Sequence, residues 1–202
     1  MEPNERVILK SIELFTLSGI RQVTMDQIAE EVGMSKRTIY ELFKDKDALV
    51  LECLETMHIR YTQEIQEILT NASNVIEALY HLGKHTEKTK SMINRSFFED
   101  LKKLYPNMWE TMKKRNKPGI GSFSYKILVK GIEEGIIKKD INIEIVDTFI
   151  FKMMETFHKK EGFPENTSDK DLLKNIIIPY YMGISTDKGK KLIEQYIPLT
   201  LL

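Results

Sequence analysis

Apolar residues recur at intervals of three and four along almost the whole chain, and no stretch alternates apolar and polar over a strand's length. That spacing belongs to helices with one buried face. No Asn-Gly or Asp-Gly pair offers a hairpin turn, so the sequence predicts an all-α fold. The six prolines and ten glycines serve mainly as punctuation between the periodic stretches.

The first helix is expected from about Asn4 to Ser18, with Ile8, Ile12 and Phe15 inward and Gly19 at its C-terminal cap. Thr24-Met25-Asp26-Gln27 fits a capping box, with Ile28, Ala29 and Val32 as the buried face behind it. Gly33-Met34-Ser35 turns the chain, and Ser35 caps a short third helix with Ile39, Leu42 and Phe43 inward. Asp45 or Asp47 opens a longer helix to about Leu69, with Val50, Cys53, Leu54, Met57, Tyr61, Ile65 and Ile68 on one face. Further helices are expected at 74–90, 95–105, 106–116, 122–135, 143–161 and 168–182, with a short last one from Thr186. Pro118-Gly119-Ile120-Gly121 should break the chain between two of them.

The 202 residues are 42% hydrophobic and 30% charged, enough to bury a sizeable core and too apolar for a disordered chain. Thirty Lys+Arg balance thirty Asp+Glu. Bulk charge therefore draws the chain to neither nucleic acid nor membrane, and any basic surface must be local. One cysteine, Cys53, cannot form an intramolecular disulfide, which points to a reducing compartment. The opening Met1-Glu2-Pro3-Asn4-Glu5 has no basic flank or apolar stretch, and no run approaches the ~20 apolar residues that span a bilayer. A cytoplasmic protein without a membrane partner is expected.

The segment from Thr24 to Lys46 carries the chemistry. Two short helices around a glycine turn make a helix-turn-helix, with the motif at 24–43. Stepping about 100° per residue from Lys36 puts Ile39, Leu42 and Phe43 near 300°, 240° and 340°. Arg37, Tyr40, Glu41 and Lys44 then fall between about 40° and 140°. From Ser35 to Lys46 four basic residues outnumber two acidic ones on a neutral chain, so attraction for phosphate is concentrated there. Lys36 and Arg37 can reach guanine edges or phosphates, and Thr38 a base edge or a thymine methyl. Tyr40 and Lys46 suit backbone phosphates, and Thr24 can offer N-terminal amides. Met25, Ser35 and Lys44 complete the expected contact set. Glu41 either accepts from a cytosine amine or stands solvated and helps reject wrong sites.

Ile8 to Val50 resembles the N-terminal domain of the TetR family of bacterial regulators. The resemblance rests on Ile12, Phe15, Gly19, Thr24, Ile28-Ala29, Gly33-Met34-Ser35, Ile39-Tyr40, Phe43, Lys46 and Leu49. Met34 stands where valine is commoner. Glu133-Glu134-Gly135-Ile136-Ile137 and Gly183 to Gly189 resemble stretches of family C-terminal domains more weakly. The resemblance implies a three-helix DNA-binding domain at 1–47 and an effector-binding and dimerisation domain at 48–202. It implies a homodimer on a double-stranded palindromic operator, acting as a repressor that a small-molecule effector releases.

Two helices have faces suited to pairing with a second copy. One presents Val146, Phe149, Ile150, Met153 and Phe157, the other Leu172, Leu173, Ile176, Ile177 and Tyr180. Intrachain core is the alternative. Met57, Tyr61, Phe97, Phe98, Trp109, Met112 and Phe123 are candidates for an apolar effector pocket, with plain core again the alternative. His81 and His85 could orient a ligand or bind metal, or form a solvated pair. Glu55–His58 and Glu155–His158 have the Glu-x-x-His spacing of di-iron bundles. Glu55 and Glu155 point away from the apolar faces, which argues against a metal enzyme. No phosphate loop, G-x-S-x-G or H-E-x-x-H occurs. No catalytic residue, metal ligand or cofactor is expected. A helical partner-binding module without DNA contact is the remaining reading.

Overall fold

A computed structural model describes residues 2–115, 117–159 and 162–197, without the side chains of Lys113, Arg115, His158 and Lys159. The His158 end of the second Glu-x-x-His string thus lies outside the described residues. The helices are α1 (Pro3–Ser18), α2 (Met25–Val32), α3 (Lys36–Leu42), α4 (Lys46–Asn71), α5 (Val75–Met92) and α6 (Arg95–Leu104). After them come α7 (Pro106–Arg115), α8 (Phe123–Glu133) and α9 (Ile143–Lys159). Then α10 (Asp169–Leu172), a π-turn (Leu173–Ile177) and α11 (Ile178–Ile184) run on as one helix, before α12 (Asp187–Tyr196). The π-turn lies just before Pro179, which has no N–H to give the ladder. No strand occurs among the described residues, only an isolated antiparallel bridge between Ile137 and Ser185.

Local chemistry sets the helix starts. Thr24 Oγ1 accepts from Gln27 N at 3.1 Å, which is the threonine half of the expected box. Ser35 Oγ accepts from Thr38 N at 3.1 Å. Asn94, Ser122, Ser168 and Thr186 cap α6, α8, α10 and α12 in the same way. Each cap satisfies an amide that has no partner in the first turn.

The chain forms two compact units. One holds residues up to Ile68 together with Lys84–Met112; the other holds Leu69–Gly83 and residues from Lys113 onward. The core of the first is built by Val7, Ile8 and Phe15 of α1, Ile28 and Val32 of α2, and Ile39 of α3. Leu49, Val50, Cys53 and Leu54 of α4 and Phe97 and Leu101 of α6 complete it. The packing of the three N-terminal helices therefore continues well past residue 47.

In the second unit Val75, Ile76, Ile127, Leu128, Ile136, Ile137, Val146, Ile150, Ile178 and Ile193 make the core. The two stretches with weaker family resemblance meet there. Thr186 N donates to Ile136 O and Lys138 N to Ile184 O, both at 2.9 Å. Gly189 packs so closely on the Ile136 carbonyl oxygen that a Cβ would overlap it. The buried Asp147 carboxylate accepts from Gly119 N at 2.7 Å, from Ser122 Oγ at 3.0 Å and from Ser124 Oγ, and so ties the loop after α7 to α9. Nothing in the one-dimensional pattern marked it.

Two residues depart from the expected apolar faces. Tyr61 of α4 is 38% exposed. Leu42, placed on the buried stripe of α3, is 37% exposed. It is the last residue of the helix and lies about 60° from Ile39, at the stripe's edge.

Candidate nucleic-acid interface

Gly33 joins α2 to α3 in the left-handed conformation (φ 66°, ψ 39°), which costs glycine nothing and an L side chain a Cβ clash. Its N–H donates to Glu30 O at 3.0 Å, and Met34 N donates to Ala29 O at 2.9 Å. Ile39 and Phe43 fasten α3 to the core. On the opposite side Lys36, Arg37, Tyr40 and Lys44 are exposed, and Thr38 is half-buried. The chain thus offers ammonium, guanidinium and hydroxyl groups from one short helix face.

The expected contact residues do not all stand alike. Thr24 and Ser35 are exposed at helix starts, and their oxygens are engaged as caps. The Ser35 and Thr38 hydroxyls are also hydrogen-bonded to each other, Oγ to Oγ1 at 2.8 Å. Met25 is 6% exposed and belongs to the core, so its side chain is not offered to a groove. What it can present is the amide at the start of α2. The Lys46 ammonium is half-buried, 3.5 Å from Arg21 O, and that burial lowers its pKa. Lys36 Nζ lies 2.7 Å from Asp26 Oδ1, and the hydrogen bond to Asp26 raises its pKa. Arg37 Nε lies 2.8 Å from Glu41 Oε1.

A joint that no sequence pattern marked fastens this head to α6. Arg21 N donates to Asp100 Oδ2 at 2.7 Å. Asn94 N donates to Thr16 O at 2.7 Å, and Asn94 Nδ2 to Leu17 O at 3.2 Å. Gly19 (φ 86°) sits against Ser96 and Asp100. Tyr105 Oη donates to Asp47 Oδ1 at 2.6 Å, and burial, helped by that carboxylate, raises the phenol's pKa. These partners are up to 79 positions apart, so only the fold brings them together.

Of the candidate effector residues, Phe97 is core, and Met57, Phe98, Trp109 and Met112 pack against the same core. Ile93, Tyr105 and Met108, which sequence reasoning missed, join them. Tyr61 stands at the His85 ring, with centroids 5.9 Å apart. Phe123 packs in the second unit instead. A shallow hollow of about 320 Å³ is lined by Leu51, Leu104, Tyr105, Pro106, Asn107, Met108 and Thr111.

The candidate dimer residues divide as well. Ile150 and Met153 are buried within the single chain. Leu173 and Tyr180 pack against the second core, and Phe157 lies beside Phe163 at 5.8 Å. Ile176 and Ile177 are half-buried. Phe149 is 47% exposed, with its ring 4.8 Å from Tyr180, and Ile145 on the same α9 face is 67% exposed. The two histidines have separate carboxylate neighbours: Glu77 at 3.8 Å from His81 and Glu64 at 3.2 Å from His85. Among the described residues no three His, Cys, Asp or Glu gather as a metal site, and no helix is long and apolar enough to cross a membrane.

A short helix braced by another across a glycine turn, apolar behind and cationic in front, defines a helix-turn-helix DNA-binding protein. Residues 8–53 match the family model described as bacterial regulatory proteins, tetR family. An uncharacterized HTH-type transcriptional regulator, YvaF of Bacillus subtilis, is 23% identical over 190 residues, covering 92% of this chain and 97% of the relative. A putative tetR-family regulator from Mesorhizobium loti has the same fold, with TM-score 0.63, 15% identity, and 90% and 96% of the two chains covered. So does Bacillus subtilis FadR in complex with stearoyl-CoA, with TM-score 0.55, 18% identity, and 88% and 96% covered. Residues 8–53 thus match the DNA-binding domain of the tetR family, and the relatives that the chain resembles are helix-turn-helix transcriptional regulators.

Proposed function

We propose that this protein is a homodimeric repressor that holds a palindromic operator through two copies of α3 and lets it go when a small molecule binds. Residues 1–47 read DNA; residues 48–202 dimerise and sense the effector. The observation that carries the reading is the clean division of α3, with Ile39 buried and Lys36, Arg37 and Tyr40 exposed. Arg37 and Lys36 serve base edges or phosphates, Thr38 a base edge, and Tyr40, Lys44 and Lys46 the backbone. The α2 N-terminus, with Thr24 and the Met25 amide, suits a phosphate. A two-fold dimer presents its recognition helices about one DNA turn apart, ~34–36 Å, hence the inverted repeat.

Ile145 and Phe149, four residues apart on α9, supply an apolar face for the second copy, with Tyr180 alongside. The Met57, Phe98, Trp109 and Met112 layer favours an apolar effector, since methionine repacks at little cost. That a fold neighbour carries stearoyl-CoA supports the same class of ligand. An effector that wedges this layer moves α6, and α6 is hydrogen-bonded to the head through Asp100 and Asn94. To shift DNA affinity it must bind the two states unequally.

Selection from random duplexes, followed by gel retardation in dilute buffer, tests the reading. Recovery of an inverted repeat, bound by a dimer and weakened steeply by salt, is expected. Failure to retain any duplex refutes it. Unchanged operator affinity with a saturating cognate effector refutes the release step alone.

A further inference from the structure

The two cations at the start of α3 are each paired with a carboxylate. Lys36 Nζ lies 2.7 Å from Asp26 Oδ1 and 2.9 Å from Asp26 Oδ2, so the ammonium straddles the carboxylate. Arg37 Nε donates to Glu41 Oε1 at 2.8 Å, one turn along α3. All four side chains stand mostly in solvent, so neither pair holds the fold together. Asp26 stands in the first turn of α2, beside the amides that suit a phosphate. Its carboxylate thus occupies, for Lys36, the part of an anion that DNA would otherwise fill.

We propose that Asp26 and Glu41 are internal counter-ions that withhold Lys36 and Arg37 from backbone phosphate and release them only to fixed acceptors on base edges. This rests on the DNA-binding reading above. A random duplex offers these two cations only phosphate, which trades one anion for another of like charge and gains little. The pairs therefore persist on wrong DNA, and two of the head's cations do not contribute to sequence-independent attraction. A correct site offers fixed acceptors on base edges, and fork-like contact with guanine draws the cations out. On this account Glu41 reads no base.

The differential signature lies in the salt dependence. Phosphate contacts release counterions, with a slope of about −0.9 per phosphate in a log–log plot, whereas base contacts release none. Neutralising the carboxylates should free Lys36 and Arg37 for phosphate on random DNA and leave their base contacts on the operator as they were. One unit charge roughly 7 Å from a phosphate in water changes affinity about threefold.

The test uses the full-length dimer and the variants Asp26→Asn, Glu41→Gln, the double variant and the charge-keeping Asp26→Glu. Binding to a random-sequence duplex and to the selected operator is followed by fluorescence anisotropy over a salt series. The double variant is expected to bind random DNA roughly tenfold tighter in dilute salt. Its slope there should steepen by one to two phosphate equivalents, with the operator slope unchanged; the operator should tighten as well, since its contacts no longer have to break the pairs. Asp26→Glu should behave as wild type. A double variant with wild-type affinity and slope on random DNA overturns the proposal alone. So does Glu41→Gln weakening the operator through one base pair, because Glu41 then reads a cytosine. A wild-type protein that binds no duplex overturns the DNA-binding reading and this proposal together.

Discussion

Gly19→Ala is the substitution through which the joint between the head and α6 can be weighed. Two penalties follow from the geometry. The backbone at φ 86°, ψ 155° lies in a region that is essentially glycine's own, and holding an alanine there costs about 1–3 kcal/mol. A Cβ would also lie 2.7 Å from Ser96 Oγ, 3.0 Å from Asp100 Oδ2 and 3.2 Å from Ser96 Cβ. Overpacking of this kind costs about 1–3 kcal/mol. Alanine's smaller entropy in the unfolded chain offsets about 0.4–1 kcal/mol. The net expectation is a loss of about 1–5.5 kcal/mol, a large share of the ~5–15 kcal/mol that holds a typical domain together. Urea unfolding at 25 °C reads it as a lower midpoint at similar slope. The double variant Gly19→Ala/Ser96→Gly removes both Ser96 contacts and leaves the backbone strain. It should therefore recover part of the loss beyond the effect of Ser96→Gly alone. Since the strain is relieved most easily by parting α6 from the turn after α1, effector response should weaken as well. A loss below about 0.5 kcal/mol, or no coupling between the two positions, would refute the close packing inferred here.

The remaining expectations are brief. Arg37→Ala should cost roughly 1–3 kcal/mol of operator binding and relax preference at one position, while Lys46→Ala should weaken all duplexes alike and flatten the salt slope. If the two behave alike in a selection experiment, Arg37 reads no base. Met25→Leu should leave operator affinity within about twofold, and Met25→Ala should cost about 2–5 kcal/mol of stability, because the side chain is core; a large affinity loss with intact stability would return Met25 to the DNA face. Burial pushes the Cys53 thiol from 9.0 up to about 12, so the protonated form is the one the fold favours. Its contribution is full below pH 9 and is lost as pH rises toward 12. Thiol reagents at pH 8 should therefore react only as fast as the protein unfolds, and rapid labelling of folded protein would contradict this. Ile145→Glu/Phe149→Glu should shift the oligomer toward monomer in sedimentation and weaken operator binding; an unchanged dimer would move the interface elsewhere.

Periodicity and capping were enough to place nearly every helix. Thr24, Ser35, Asn94, Ser122 and Thr186 stand one residue before the helices they cap, and Gly33 takes the left-handed turn its place in the pattern required. These are local effects, settled within one or two turns, so the linear order of residues contains them. The helix-turn-helix was legible for the same reason: its turn, caps and buried stripe fit within about twenty consecutive positions. Met25 and Leu42 show the limit, because neither a capping-box slot nor an apolar stripe says how deep a side chain will sit once a neighbour packs against it.

Other features depend on residues far apart in the chain. That Lys36 faces Asp26, that α6 grips the turn at Gly19, and that Asp147 gathers Gly119, Ser122 and Ser124 could not be read from spacing. Phe123 shares the composition of the other pocket candidates, yet it packs with a different core. An all-helical chain with a cationic helix near its start follows from the order of residues alone. Which of its charges are paired, and which helix is hydrogen-bonded to the N-terminal head, depend on how the chain packs. Caps and stripes act over a few residues, whereas ion pairs and close packing depend on distance in space, which the order of residues does not record.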